Sequence, residues 1–261
     1  MAAGTRNSTT QAVRKAVHLL SCFGNGSAAS LGVTELHETT GWPKSTISRL
    51  LAALEEGGLV RQDAVTGRYS PGLSLVALAG AALASDALYL ASHPHLVALA
   101  AESGETANLS ILDSGQLLTI DEAPGTQAIK LSGWMGVRQP LHGSSSGKVL
   151  LAALPDEQRE AIFAAGLPPV TPRTETDRER LLRELERVRA AGYAMNVDEL
   201  IPGLTSIAAP VRDHTGTVVA AISAAGPSFR LTGRHVEECV PLVKDAALRA
   251  SRELGCRVPA A

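Results

Sequence analysis

Apolar and polar positions divide the first part of the chain into three helices and a hairpin. Residues 11–23 and 34–40 follow helical spacing and end at glycine-containing stretches. Pro43 suits the first turn of a third helix that runs to Glu56 and ends at two glycines. Residues 59–70 then form two short strands around a turn with Thr66-Gly67. This order of elements predicts a winged helix-turn-helix, a fold that reads DNA.

The third helix has the two faces that such a reader needs. Ile47, Leu50, Leu51 and Leu54 form one apolar stripe at helical spacing. The opposite face is small, hydroxylated and basic, so it can approach base edges closely. A solvated amphipathic helix is the alternative for this segment alone. The candidate DNA contacts are Lys44, Ser45, Thr46, Ser48 and Arg49 on the helix, with Arg61 and Arg68 on the hairpin.

The rest of the chain predicts an α+β domain behind a linker. Residues 73–91 read as one apolar linker helix, and Ser92-His93-Pro94 reads as the cap of a helix to about residue 103. Two hairpins turning at residues 113–115 and 213–216 indicate an antiparallel sheet. Helices that pack on this sheet are expected at residues 146–154, 155–165, 177–191 and 232–254.

Composition and charge exclude several classes of protein. Net charge is −2, although residues 1–72 carry seven basic against five acidic side chains, so any basic surface is local. Three scattered cysteines form no zinc spacing and indicate a reduced, cytoplasmic compartment. Residues 1–10 are polar, lack a signal-peptide core and are expected to be a disordered leader. Asp86 and the many alanines argue against a membrane span at residues 73–91.

A serine loop at residues 141–152, LHGSSSGKVLLA, raises three hypotheses about its function. A phosphate loop fails, because only three residues separate its glycines and valine follows the lysine. A nucleophile elbow formally fits with Ser145 as nucleophile, but no apolar strand leads into the serine. Serines and glycines ahead of a helix also form a natural seat for a small polar ligand.

Three separated stretches resemble the IclR family of bacterial transcriptional regulators. Residues 41–72 resemble its winged helix, and residues 138–154 and 192–227 resemble its ligand-sensing domain. The resemblance implies a GAF-like second domain, a homodimer or tetramer, and a small-molecule effector that adjusts the grip on operator DNA. By position, Ser145 and Ser146 match the pocket backbone of the family, whereas Asn196, Ser206 and Ser223 match its polar ligand-facing side chains.

The match also shows departures from the family pattern. Several members have Asp at Asn196, Cys at Ser206 and Ser at Ala225, which favours a different, larger or less ionic effector. Trp134 and Met135, between glycines, are expected to form an apolar lid, and buried packing is the alternative.

Together these patterns predict a DNA-binding transcriptional regulator, not an enzyme, that acts in the cytoplasm without a cofactor, a metal or a membrane. The expected partners are double-stranded operator DNA, a carboxylate or aromatic metabolite as effector, and further copies of the chain. Both repressors and activators occur in the family, and we expect a repressor. The alternative function is a serine hydrolase that uses Ser145. The expected domains are a leader at residues 1–10, the winged helix at 11–72, the linker at 73–91 and the effector domain at 92–258.

Overall fold

The computed structural model describes residues 3–23, with backbone alone for residues 3–9, and residues 30–257. The chain divides into two compact units, residues 1–85 and 86–261. Helix α1, Ala3–Phe23, begins within the predicted leader, of which residues 1 and 2 lie outside the described part. No glycine or proline interrupts the sequence from Thr5 to Phe23, so the helix continues N-terminally from its packed turns.

The first unit is a winged helix-turn-helix, as predicted. Helix α2, Val33–Thr40, and helix α3, Lys44–Glu56, flank a turn at Gly41, whose φ of 70° is the left-handed conformation that ends a helix. Strands β1, Val60–Gln62, and β2, Tyr69–Pro71, pair antiparallel to form the wing, and Leu31 bridges to Tyr69. Helix α4, Ser74–Ala84, follows the wing.

One small core holds the first unit together. The buried stripe of α3 packs against α1, α2 and the wing. Burial of these side chains stabilises the unit by the transfer of apolar surface out of water. The core consists of Leu19, Leu36, Ile47, Leu51, Leu54, Val60 and Tyr69.

The second unit is an α+β fold built on one six-stranded antiparallel sheet with the strand order β5-β4-β3-β8-β7-β6. Helix α5 precedes the sheet, α6 to α8 lie between its strands in sequence, and α9 follows the last strand. The bounds are α5 Ala87–Ser103, β3 Thr106–Asp113, β4 Gln116–Ala123, β5 Arg138–Gln139, α6 Ser145–Ala153, α7 Asp156–Ala164, α8 Arg178–Ala191, β6 Ala194–Val197, β7 Leu204–Arg212, β8 Val218–Pro227 and α9 Gly233–Glu253.

Helices cover both faces of this sheet. Because side chains alternate along a strand, Ile207 and Ile222 join the core under α5 and α9, whereas Ala208 and Ala221 join the core under α6 and α8. The turns at Ser114-Gly115 and at residues 213–216 close the two predicted hairpins. The short strands β5 and β6 were not predicted.

The predicted single linker helix is wrong. Helix α4 ends at Ala84, and α5 begins at Ala87 and continues through Pro94, where the sequence predicted a new start. The reason is a cap: the carboxylate of Asp86 accepts a hydrogen bond from the backbone N–H of Tyr89 at 2.8 Å. Pro94 is tolerated inside α5 on its exposed side.

No single described helix is both long and apolar enough to cross a membrane, and α4 and α5 meet that criterion only when counted together. No group of three or more metal-ligating side chains comes together within the described chain.

Candidate functional site

Helix α3 presents a polar face opposite its buried stripe. Ser45, Ser48 and Arg49 are exposed and Thr46 is half-buried. No hydrogen bond or ion pair from any described residue engages the guanidinium of Arg49. Pro43 precedes the helix and offers no capping side chain, and its carbonyl accepts from the N–H of Thr46 at 2.9 Å. Among the described residues no acceptor meets the N–H groups of Lys44 and Ser45, which begin α3. The guanidinium of Arg49 and the open N–H groups at the start of α3 therefore lack partners within the described part of the chain and are available to an acceptor.

The other predicted basic contacts are partly engaged inside the unit. The ammonium of Lys44 donates to Thr34 at 2.9 Å, and the guanidinium of Arg61 donates to Ser70 at 3.0 Å, both at the surface. The guanidinium of Arg68 donates to the carbonyl of Ser30 at 2.7 Å and pairs with Glu35 at 2.8 Å. Arg68 thus ties the wing to α2, and its prediction as a DNA contact gains no support from this geometry.

Glu35 has two roles in this arrangement. Its carboxylate accepts from the N–H of Gly32 at 2.6 Å, which caps α2, and it pairs with Arg68. The hydrogen bond from Gly32, followed by that from Arg68, holds the pKa of Glu35 below its usual range. The wing is therefore anchored by a group that stays ionised at neutral pH.

The second unit contains a polar cavity of about 40 Å³ on the α6 side of its sheet. Strands β3, β4, β5, β7 and β8 contribute one wall, and the serine loop with α6 contributes the other. No side chain that lines it within the described part of the chain carries a charge. The lining residues are Asn108, Ser110, Leu117, Thr119, Trp134, Gln139, Ser144, Ser145, Ser146, Leu200, Leu204, Ser206, Ser223 and Ala225.

The serine loop is built to bring α6 close to the chain before it. Ser144 caps α6, and its hydroxyl accepts from the N–H of Gly147 at 3.1 Å. A side chain at Gly147 would place its Cβ 2.0 Å from the carbonyl oxygen of Leu141, so only glycine fits. Among the described residues, no acceptor meets the N–H groups of Ser145 and Ser146, which begin the helix.

Two predicted effector contacts are not brought to the cavity. Asn196 is buried behind the serine loop, where its amide donates to the carbonyl of Gly143 and accepts from the N–H of Glu199 at 3.1 Å. These two bonds connect the serine loop at Gly143 to the turn at Glu199, so Asn196 holds the loop in place. Met135 is 52% exposed and lies outside the cavity lining.

The sequence missed the contribution of β3 to β5. Asn108 and Ser110 alternate with apolar residues inside a buried strand, a pattern that places two polar side chains on one face. That alternation was the signal that could have identified them. Asn108 also stands opposite Ser223 across the sheet, so the two polar positions support each other.

The loop that follows β6 covers the same region. Asp198 has a φ of 64°, and its carboxylate accepts from Ser228 at 2.7 Å and from the N–H of Gly203 at 2.9 Å. The hydrogen bond from Ser228, with those of Gly203 and the charge of Arg173, holds the pKa of Asp198 below its usual range. This fixed turn carries Leu200 to the cavity wall.

A buried lysine anchors this loop from below. Lys148 is fully buried, and its ammonium donates to Glu184 at 2.7 Å and to Glu199 at 2.6 Å. Two carboxylates compensate the one buried cation, which removes the cost of an unpaired charge. Lys148 is therefore structural, one turn away from the cavity.

The hydrolase alternative gains no support from the serine loop. The hydroxyl of Ser145 donates to Ser206 at 2.8 Å, and no histidine in the described part of the chain bonds to it. The nearby His142 contacts the carbonyl of Pro168 at 3.0 Å instead. A serine nucleophile needs an adjacent base, and the geometry supplies a second hydroxyl.

A larger groove of about 750 Å³ lies between α9 and the β7–β8 hairpin. Its wall is mostly apolar, with Pro210, Val240 and Leu248, and basic side chains Arg212 and Lys244 at its sides. Both bases already donate to backbone carbonyls, of Gly216 and Ala191 respectively. The larger groove has the size and apolar lining that ligand pockets usually have, but its polar side chains are few, and Arg212 and Lys244 are already bonded. More polar groups converge on the smaller cavity, and such groups fix the orientation of a ligand and give specificity.

The two units described above agree with the protein families and the relatives to which the chain is similar. The model of the IclR helix-turn-helix domain matches residues 12–64, and that of the bacterial transcriptional regulator IclR C-terminal region matches residues 80–252. The HTH-type transcriptional repressor AllR of Salmonella typhi is 33% identical over 98% of this chain and 94% of its own length. The AllR repressor of Escherichia coli K12 is 33% identical over 95% of this chain and 91% of its own.

Solved structures give the same result. An IclR transcriptional regulator from Alicyclobacillus acidocaldarius matches with a TM-score of 0.85 and 29% identity over 94% of this chain and 99% of that one. An IclR homolog from Microbacterium hydrocarbonoxydans, complexed with 4-hydroxybenzoate, matches with a TM-score of 0.78 and 28% identity over 93% and 98% of the two chains. The chain therefore belongs to the IclR family of bacterial transcriptional regulators.

Proposed function

We propose that the protein is a repressor whose α3 reads operator DNA and whose affinity for that DNA is set by a small molecule in the α6 cavity. The observation that carries the first half is the exposed, unengaged Arg49 on the face of α3 opposite its buried stripe. Its guanidinium can bind a guanine edge with two hydrogen bonds. The curated relatives are named as repressors, which supports the sense of regulation.

The flanking residues position the helix on the duplex. Ser45 and Ser48 are exposed beside Arg49, and the open N–H groups at the start of α3 favour a phosphate. Lys44, Thr46 and the wing residue Arg61 extend the same set of contacts. Arg68 contributes by holding the wing against α2 rather than by touching DNA.

Helix α4 supports a homodimer or a tetramer. None of its residues is buried, and its apolar side chains Val76 and Leu78 are 68% and 61% exposed. An apolar helix with no buried residue exposes a surface that a second copy of the chain would cover. Two-fold pairing would set two α3 helices at the spacing of two operator half-sites. A regulator of this kind acts in the cytoplasm, where the chromosome lies.

The effector half rests on the cavity beside α6. Orphan N–H groups of Ser145 and Ser146 and the hydroxyls of Ser206 and Ser223 converge there. The complex of one relative with 4-hydroxybenzoate supports a small-molecule ligand as such. A ligand regulates only if its affinity differs between the DNA-binding arrangement and the other one.

The test is fluorescence anisotropy on the DNA directly upstream of this protein's own gene, against scrambled DNA, at one fixed salt concentration. Arg49→Ala is expected to weaken operator binding about tenfold to a hundredfold, the usual loss for a base-reading arginine. Arg187→Ala is the matched control, because it removes the same charge from an exposed position on α8. Equal effects of the two variants would disprove α3 as the reader.

A further inference from the structure

Two buried polar atoms of the α6 cavity have no hydrogen-bond partner among the described residues. They are the side-chain oxygen Oδ1 of Asn108 and the indole Nε1–H of Trp134. Both residues line the cavity, and Asn108 is only 6% exposed. Buried polar groups normally have hydrogen-bond partners. An orphan acceptor and an orphan donor on one cavity therefore indicate a ligand that carries both a donor and an acceptor.

Several other polar side chains of the cavity are already paired within the described residues. Ser145 bonds to Ser206 at 2.8 Å, and Ser110 bonds to Thr119 at 3.2 Å. The orphan N–H groups of Ser145 and Ser146 add donors beside that of Trp134. The cavity thus offers several donors for an oxygen, and the orphan oxygen of Asn108 requires a donor from the ligand.

The charge and the volume of the cavity further restrict the chemical class of ligand that it can hold. No charged side chain of the described residues lines the cavity, and its volume of about 40 Å³ suits a molecule of few heavy atoms. An aromatic ligand would require the loop with Trp134 to move outward. The cavity therefore favours a small polar molecule over the larger effector that the sequence suggested.

We propose that the effector is a small molecule that joins a hydrogen-bond donor, a hydroxyl or an N–H, to a carbonyl-type oxygen. Asn108 accepts from the donor, and Trp134 donates to the oxygen together with the start of α6. This inference rests on the proposed function of the cavity as the effector site. It assigns specificity to two residues, one of which, Asn108, the sequence did not single out.

The experiment compares four probes by calorimetry on the full chain: glycolamide, glycolate, acetamide and acetate. The first two carry the hydroxyl, and the amides and acids separate a neutral from an anionic oxygen. We expect each hydroxyl-bearing probe to bind about tenfold more tightly than its deoxy partner, since an unpaired buried acceptor is satisfied only by the former. Equal affinity within each pair, or no binding of any probe, would overturn the proposal.

Two variants assign the contacts. Asn108→Leu is expected to abolish the preference for probes that carry the hydroxyl. Trp134→Phe removes the N–H and keeps an aromatic ring, and it is expected to lower the affinity for every probe that binds by the same factor. Trp42→Phe is the matched control in the first unit and leaves Trp134 as the sole tryptophan for a fluorescence readout. Should Asn108→Leu fail to fold, the wild-type probe pairs and Trp134→Phe still decide the matter, because an unchanged affinity in Trp134→Phe contradicts the assignment.

Operator binding separates this proposal from the one it rests on. Operator binding is measured beside probe binding for the wild type and for Asn108→Leu, because Asn108 lies in the second unit and α3 in the first. Loss of probe binding with intact operator binding therefore concerns the cavity alone. Wild-type protein that binds the probes as expected and shows no operator preference would disprove the regulator and leave the assignment of Asn108 and Trp134 intact.

Discussion

The two candidate sites use opposite physics. On α3, the exposed guanidinium of Arg49 has no partner among the described residues, so water satisfies it, and in the proposed function DNA replaces that water. In the α6 cavity, neutral groups are buried, and two of them lack a partner within the described part of the chain. The first site would therefore act by charge at a surface, and the second by hydrogen-bond complementarity in a small enclosed volume.

This difference extends to the lysines and glycines of the two units. Lys44 lies exposed at the start of α3, whereas Lys148 is fully buried beneath the cavity. Gly41 is required for its backbone conformation, whereas Gly147 is required for its lack of volume. The same substitution at matched positions should therefore give different results in the two units.

The largest effect is expected for Lys148→Met. It removes the cation between Glu184 and Glu199 and leaves two carboxylates facing each other in a mostly buried site. Breaking such a group costs about 3 kcal/mol of the free energy of unfolding. Urea denaturation of the second unit, followed by the fluorescence of Trp134 in a Trp42→Phe background, measures this loss.

Lys44→Met is the control for that experiment. Among the described residues its ammonium bonds only to the surface hydroxyl of Thr34, so the free energy of unfolding should change by less than about 0.5 kcal/mol. Adding Glu184→Gln and Glu199→Gln to Lys148→Met should restore much of the loss. An equal cost at both lysines would refute the structural role of the buried cation.

The second largest effect is expected for Gly147→Ala. Its new Cβ would lie 2.0 Å from a backbone oxygen, so α6 must move, at a cost of at least about 2 kcal/mol. Gly41→Ala meets no atom within 4 Å and pays only for its φ of 70°, about 1 kcal/mol. Denaturation monitored at Trp134 and at Trp42, respectively, gives both values. The comparison breaks down if Gly41→Ala is the more harmful change.

The first unit was largely predictable from the sequence because its signals are local. The stripe of Ile47, Leu51 and Leu54 defines both the core and the outward face of α3, and Gly41 marks the turn. The fate of Arg68 was not predictable, since its partners Ser30 and Glu35 come from residues more than thirty positions away. Position on a wing predicts exposure, and tertiary contacts then decide whether the charge is free.

The cavity was predictable only in part, because five strands assemble it. Ser145, Ser146, Ser206 and Ser223 were identified by resemblance, and they line the cavity together with Trp134. Thr119 and Gln139 reach it through strand register, which the sequence does not give. The linker failed for a local reason: Asp86, taken as a costly charge within an apolar helix, is the cap that starts a new one.

The smallest effect concerns the thiols. Burial, with the nearby carboxylates of Glu105 and Glu238, raises the pKa of Cys239 to about 11, and burial also raises the pKa of Cys22 in the first unit. The thiolate is the reactive form, so in native protein at pH 8 Cys239 should resist iodoacetamide, and it should react fully after unfolding in urea. Peptide mass spectrometry at both conditions measures the labelled fraction of each cysteine. In the folded state Cys239 stays protonated at pH values above the ordinary thiol pKa of 9.0. Its contribution to the free energy of unfolding is therefore complete below pH 9 and is lost as the pH rises toward 11. Rapid labelling of native Cys239 at pH 8 would show that the second unit opens locally around α9, which is the opposite of the tightly closed unit that the cavity requires.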